Sequence, residues 1–138
     1  MGAKVSEFCW PVRVYYEDVD GAGVVYYANY LRFLERARTE WLRDRGYEQD
    51  RLAREAGIVF AVRELWVDYR LPARFNDLLA VTARVTARRR ASFTFTQEVR
   101  RDDEVLCRAQ VRIACLDAAT FRPCPLPPEL YEELSLVH

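Results

Sequence analysis

The sequence predicts an α+β fold in which one long amphipathic helix lies against a five-stranded antiparallel sheet. Three observations carry that expectation. Apolar residues recur at helical spacing in one long stretch, between Asn29 and Gly46. A period of two takes over at Ile58 and recurs as far as Cys115. Clusters of glycine, proline and aspartate punctuate the two regimes.

The elements follow in order. Val12, Val14 and Tyr16 alternate with Arg13 and Tyr15 and read as a first strand. The run Asp18-Val19-Asp20-Gly21-Ala22-Gly23 reads as a turn. In the long helix, Tyr30, Leu34, Ala37 and Trp41 form an apolar stripe, widened by Leu31, Phe33 and Leu42. Arg32, Arg36, Thr39 and Arg43 lie opposite. Asn29 is suited to cap the start, Gly46 to end the helix, and Arg36 with Glu40 makes an i,i+4 pair. A short helix over Asp50 to Ala56 stops at Gly57. Strands are expected over Ile58–Arg70 and Leu78–Arg88, joined through Leu71-Pro72-Ala73-Arg74. Two more, marked by Phe93, Phe95 and Val99 and by Val105 through Cys115, meet at the hairpin tip Arg101-Asp102-Asp103-Glu104. Four prolines between Pro123 and Pro128 end the sheet. The edges of such a sheet invite pairing with a second copy, so a homodimer or homotetramer is expected.

Composition narrows the class. The 138 residues suit one domain, 1–138, and 51% hydrophobic content suffices for a core. Twenty-one basic residues balance 21 acidic ones, which argues against a nucleic-acid partner. No apolar run is long enough for a transmembrane segment. Met1 to Phe8 lacks the apolar region of a signal peptide, so a cytoplasmic location is expected. Cys9, Cys107, Cys115 and Cys124 form no C-x-x-C pair. Cys107 and Cys115 share a strand face about 26 Å apart, too far to bridge. Reduced structural thiols are expected. The single histidine, His138, stands at the end of the sequence. Cys–His and Ser–His catalysis is therefore nearly excluded, and no metal site is expected.

The chemistry concentrates in Tyr15 to Tyr30. Two aspartates precede a glycine-rich turn that runs into a helix N-terminus. Free N–H groups there can hold a developing oxyanion, and a nearby carboxylate can act as nucleophile or base. The same aspartates also suit a plain turn or cap, and the residues by themselves leave both readings open. A second cluster, Arg88-Arg89-Arg90-Ala91-Ser92, suits a solvated turn or a phosphate site, because arginine forks match phosphate geometry. Glu35 reads as a partner for Arg38, and Tyr26, Phe33 and Trp41 read as core.

Trp10-Pro11-Val12-Arg13-Val14-Tyr15-Tyr16-Glu17-Asp18 and Phe33-Leu34-Glu35-Arg36-Ala37-Arg38-Thr39-Glu40 resemble the 4-hydroxybenzoyl-CoA thioesterase superfamily. Within it they look most like the YbgC-type acyl-CoA thioesterases associated with the Tol-Pal system. Similarity continues through Tyr69-Arg70-Leu71-Pro72-Ala73-Arg74 and Phe95-Thr96-Gln97. The resemblance implies a hotdog fold, in which the sheet wraps the long helix. It implies hydrolysis of acyl-CoA or acyl-carrier-protein thioesters at a dimer interface, with CoA as part of the substrate and no separate cofactor. Carried over by position, Asp20 is the catalytic carboxylate and Asp18 its support. The backbone N–H of Tyr27 would polarise the thioester carbonyl, although YbgC-type members commonly have histidine there. Arg89, Arg90 and Ser92 would contact the CoA nucleotide, and Asn29 would cap the helix or reach the substrate. An aromatic, 4-hydroxybenzoyl-type CoA thioesterase, an acid-base hydratase and a non-catalytic acyl-carrier or Tol-Pal-associated adaptor are the rival readings.

Overall fold

A computed structural model describes residues 7–135. Met1 to Ser6 and His138, on which two of the expectations above rest, lie outside the described residues. The element order is β1 (Cys9–Arg13), a 3-10 turn (Tyr16–Asp18), α1 (Asn29–Asp44), α2 (Gln49–Arg51), β2 (Ile58–Tyr69), β3 (Leu78–Thr82), β4 (Arg84–Arg88), β5 (Ser92–Arg101), β6 (Glu104–Asp117) and α3 (Pro128–Ser135). One antiparallel sheet runs in the order β1-β3-β5-β6-β2, with β4 also on β5. This is the expected hotdog architecture with six strands rather than five.

The extra strand is a division of one. Residue pairs from Ala80↔Arg100 to Arg84↔Thr96 keep one register along β5, so β3 and β4 continue each other across Ala83. Opposite that break lies Gln97, fully buried. Its amide donates to the carbonyls of Thr82 at 3.1 Å and Leu34 at 3.0 Å. Its oxygen accepts from Arg38 Nη1 at 3.1 Å. The Thr82 hydroxyl meanwhile takes the N–H of Glu98 at 2.8 Å. Side chains have replaced ladder bonds there.

Helix α1 buries Tyr30, Phe33, Leu34, Ala37, Trp41 and Leu42, the stripe read from its spacing. Leu31 is the exception and stays exposed. Trp41 meets Phe95 edge-on at 5.2 Å, and Phe95 meets Phe93 at 5.5 Å. Each such ring contributes about 2–3 kcal/mol through burial. Gly46, at φ +87°, ends the helix as expected. The short helix continues from α2 as a π turn over Leu52–Ala56, and Gly57 stops it at φ +67°.

Several local expectations need correction. The first strand lies earlier, and Tyr15 and Tyr16 leave it exposed, Tyr16 stacking on Phe75 at 4.0 Å. Glu40 pairs with Arg43 rather than Arg36, because Arg36 lies over the Phe33 ring. Glu35 accepts from Thr39, while Arg38 turns inward to Gln97. Tyr26 is exposed and not core. The proline-rich tail does not simply end the sheet. Pro128 opens α3, whose Leu130 and Leu134 are buried one turn apart, and Arg88 stacks on Tyr131 at 3.8 Å.

At the far edge, β2 pairs only with β6. Val62, Leu65, Trp66 and Tyr69 are exposed along it, an apolar edge of the kind that pairs with another chain. Among the described residues no helix is long and apolar enough to cross a membrane. Gln97→Ala would orphan the Arg38 donor and lose both carbonyl contacts, and is expected to destabilise the fold by about 3 kcal/mol. Urea denaturation checks this; a loss within about 0.5 kcal/mol would contradict the role given to Gln97.

Candidate active site

The Asp18–Asn29 segment is fixed from several sides. Asp18 is buried. Its carboxylate accepts the N–H of Tyr15 at 2.8 Å, which closes the 3-10 turn at the end of β1. Its carbonyl accepts the N–H of Tyr26 at 3.0 Å and the Asn29 side-chain amide at 3.1 Å. Asn29 is thus the first helical residue and no cap: Ala28 holds the cap position, without a side-chain bond. The amide of Asn29 instead ties the helix to Asp18.

Asp20 differs from Asp18 in its exposure: it is open to solvent. One carboxylate oxygen accepts the N–H of Ala22 at 2.8 Å. Its own N–H donates to Val24, and its carbonyl accepts from Gly23, which sits at φ +80° to close the turn. The following residues dock on the loop after β2, with Val24 bridged to Arg74 and the N–H of Val25 donating to Ala73 at 2.8 Å. That loop is itself held. The buried Tyr30 hydroxyl accepts the N–H of Ala73 at 2.9 Å. Asp77 accepts from the N–H of Arg74 and pairs with Arg101 at 2.9 Å. Burial pushes the Asp77 carboxyl up, but those two partners outweigh it and hold it below the usual range.

The helix start leaves donors free. Asn29, Tyr30 and Leu31 donate to the carbonyls of Tyr26, Tyr27 and Ala28. Among the described residues the N–H groups of Tyr27 and Ala28 donate to no protein acceptor. Successive donors at a helix start share its positive end. The Tyr69 hydroxyl donates to the Tyr27 carbonyl at 3.0 Å and so pins the Tyr27–Ala28 peptide. Tyr69 also packs edge-on against Tyr27 and Tyr30. With Val25, Leu71 and Pro72 these rings line an open depression of about 220 Å³. Sequence reasoning missed Tyr69 and Tyr30 as positioning residues; the only signal was the place of Tyr69 at the head of the Tyr69–Arg74 block.

A second cleft, of about 130 Å³, lies between α1 and the β2 side of the sheet. Phe60, Phe93, Phe95 and Ile113 make it apolar, and Glu35 and Arg38 reach it from the helix. Burial lowers the Arg38 guanidinium to about 10, against the opposing influence of Glu35.

The arginine turn stands apart. Arg89 and Arg90 are exposed, with no side-chain hydrogen bond or ion pair among the described residues. The N–H of Arg89 donates to Ser92 at 2.7 Å and shapes the turn. Ser92 begins β5, whereas Arg101, at its other end, contacts Asp77 and Pro72 beside the Asp20 loop. The length of β5 therefore separates the two clusters within one chain, about 30 Å at strand rise.

This architecture, an antiparallel sheet wrapped on one long helix, is a hotdog framework. The family model for the thioesterase-like superfamily matches residues 14–134, and the chain belongs to that superfamily as a thioester hydrolase. It is 43% identical over 123 residues to the acyl-CoA thioesterase YbgC of Haemophilus influenzae, covering 89% of this chain and 90% of that protein. It is likewise 43% identical over 127 residues to the acyl-CoA thioester hydrolase YbgC of Escherichia coli, covering 91% and 94%. A solved probable thioesterase from Bartonella henselae superposes with a TM-score of 0.83 at 34% identity, covering 88% of this chain and all of that one.

The two aspartates should separate by experiment. Asp18→Ala leaves the Tyr15 N–H without its acceptor and is expected to cost about 1–3 kcal/mol. Asp20→Asn keeps an oxygen for Ala22 and should stay within about 0.5 kcal/mol of wild type. Thermal melting of the pair checks this, and equal losses would contradict it.

Proposed function

We propose that the chain hydrolyses acyl-CoA thioesters to the free acid and CoA, with Asp20 as the reacting carboxylate and the Tyr27 N–H as oxyanion donor. The observation that carries this reading is the pair of free N–H groups at Tyr27 and Ala28, in the same braced segment as an exposed Asp20. The thioester oxygen accepts from these donors as the carbonyl carbon becomes tetrahedral. Asp20 either attacks that carbon, giving a mixed anhydride that water then opens, or takes a proton from the attacking water. In both routes the C–S bond breaks and the thiolate leaves, to be protonated by solvent. The names of the YbgC relatives support acyl-CoA as the substrate.

Arg89 and Arg90 hold the nucleotide phosphates in this reading, and Ser92 starts the strand that presents them. Their distance from Asp20 supports a role in the site of another protomer. Antiparallel pairing of two β2 edges brings the Tyr69 end of one chain beside the Ile58 end of its partner. The Ile58 end adjoins Asp117 and, through Ala114, Ser92. The Asp20 loop of one protomer thereby approaches the arginine turn of the other, and the Phe60 and Phe93 cleft takes the acyl group. A homodimer is the smallest active unit, working in the cytoplasm where CoA thioesters are made.

Asp20→Asn is expected to lower kcat by at least about a hundredfold in an acyl-CoA hydrolysis assay, the scale of a lost catalytic base. Turnover within a few-fold of wild type would exclude Asp20 as the reacting carboxylate, whereas a wild-type chain without turnover would favour the adaptor reading. Tyr27→Phe keeps the N–H and should change kcat less than about tenfold, since loss of a true oxyanion donor costs about a hundredfold or more. Arg89→Ala should raise KM for acyl-CoA with little change in kcat, and leave a pantetheine thioester unaffected. Equal losses on both substrates would mark the arginine as structural.

A further inference from the structure

The proposed hydrolysis uses none of the four cysteines, yet two of their thiols meet. The sulfurs of Cys115 and Cys124 lie 3.7 Å apart. Cys115 is buried on β6, and Cys124 is half-buried in the tail that follows. Beyond Ala91 that tail takes the place of β5 beside β6. Leu116 bridges to Pro123, flanked by bonds from Cys124 N–H to the Cys115 carbonyl at 2.9 Å and from Asp117 N–H to Arg122 at 2.8 Å. Cys115 and Cys124 are therefore cross-strand neighbours joined by one backbone hydrogen bond. Neighbouring strands lie about 4.7–4.9 Å apart, inside the range of about 4.4–6.8 Å that separates the Cα atoms of a disulfide. The sulfurs need to approach by about 1.7 Å to bond.

We propose that Cys115 and Cys124 are a site of reversible oxidative modification, joined as a disulfide by a hydroperoxide oxidant, which staples the tail to β6 under the arginine turn. The more accessible Cys124 reacts first. Its thiolate attacks a peroxide oxygen, an S–O bond forms, the O–O bond breaks, and the departing oxygen takes the proton that the thiol gave up. The Cys115 sulfur then displaces the hydroxyl from Cys124. The S–S bond forms, the S–O bond breaks, and the Cys115 proton leaves with the hydroxyl as water. The two thiols have together lost two electrons, and the peroxide has been reduced. Burial, followed by the hydrogen bond with Cys124, pushes the Cys115 thiol up to about 12, so Cys115 is not the first to meet the oxidant.

The staple lies against the backbone bonds that support the turn. The N–H of Cys115 donates to Ala91, and the N–H of Leu126 donates to Arg90, each at 2.8 Å. Oxidation thus restrains the Arg89–Ser92 turn. If Arg89 binds CoA as proposed above, oxidation also changes KM for acyl-CoA; this last effect rests on that reading, whereas the crosslink does not.

The test treats the whole enzyme with hydrogen peroxide, alkylates the remaining thiols and maps chymotryptic peptides without reductant, because cleavage after Phe121 separates the two cysteines. The peptides holding Cys115 and Cys124 should be joined, separate again with dithiothreitol, and stay unlinked in Cys124→Ser. Short tryptic digestion should cut severalfold more slowly after Arg89 and Arg90 in the oxidised enzyme, with no change in oxidised Cys124→Ser. Recovery of Cys115 and Cys124 as separate alkylated or sulfinic peptides would overturn the proposal. So would a crosslink that leaves cleavage at the turn unchanged. A severalfold KM change on oxidation, absent with a pantetheine thioester, ties the staple to CoA binding. Should reduced Arg89→Ala show normal KM, the CoA role fails while the peptide map still decides the crosslink.

Discussion

The buried amide of Gln97 holds together the two parts that the fold must join. It spans from a carbonyl inside α1 to a carbonyl on β3, and it accepts from the Arg38 guanidinium between them. Apolar packing alone would press the helix on the sheet without fixing how far it slides. A hydrogen-bonded core side chain sets that position, because a shift would leave buried polar groups without partners. Everything at the helix start inherits the setting. Tyr30 reaches the N–H of Ala73 only when the helix sits at this depth, and Ala73 in turn holds Val25.

The site then follows from what local structure leaves unsatisfied. β1 ends because Asp18 captures the N–H of Tyr15, and the chain doubles back through Gly23 before entering α1. Just before the helix, the N–H groups of Tyr27 and Ala28 donate to no protein acceptor among the described residues. The Tyr69 hydroxyl holds their peptide in place through the Tyr27 carbonyl and leaves those N–H groups available. Two aspartates in one motif thus divide the work: Asp18 is spent on structure and Asp20 is left exposed.

Much of this was legible in the sequence, and the rest was hidden for identifiable reasons. Periodicity located α1 and the long strands because each buries one regular face. It placed Asp18, Asp20, Tyr27 and Asn29 together because they are neighbours in sequence. The division of the third long strand at Ala83 was invisible, since its cause is a side chain on the opposing strand. The Arg36–Glu40 pair failed because Arg43 offered Glu40 a competing partner and Phe33 offered Arg36 a ring face. Helix α3 was masked by prolines, although Leu130 and Leu134 carry its spacing. The meeting of Cys115 with Cys124 depended on the tail folding back beside β6. The remoteness of the arginine turn could not be read from motifs, because it is a property of strand direction.

In the proposed function that remoteness makes the site a property of two chains, in which Asp20 of one protomer works with Arg89 of another. Subunits carrying Asp20→Asn and subunits carrying Arg89→Ala, differently tagged and purified as the mixed dimer, measure it directly. One of the two sites in such a dimer then holds both native residues, and the other holds neither. At substrate concentrations below KM the mixed dimer is expected to recover about half of the wild-type rate, far above either parent. A rate no higher than the mean of the two parent dimers would place both residues in the same chain's site and contradict the claim.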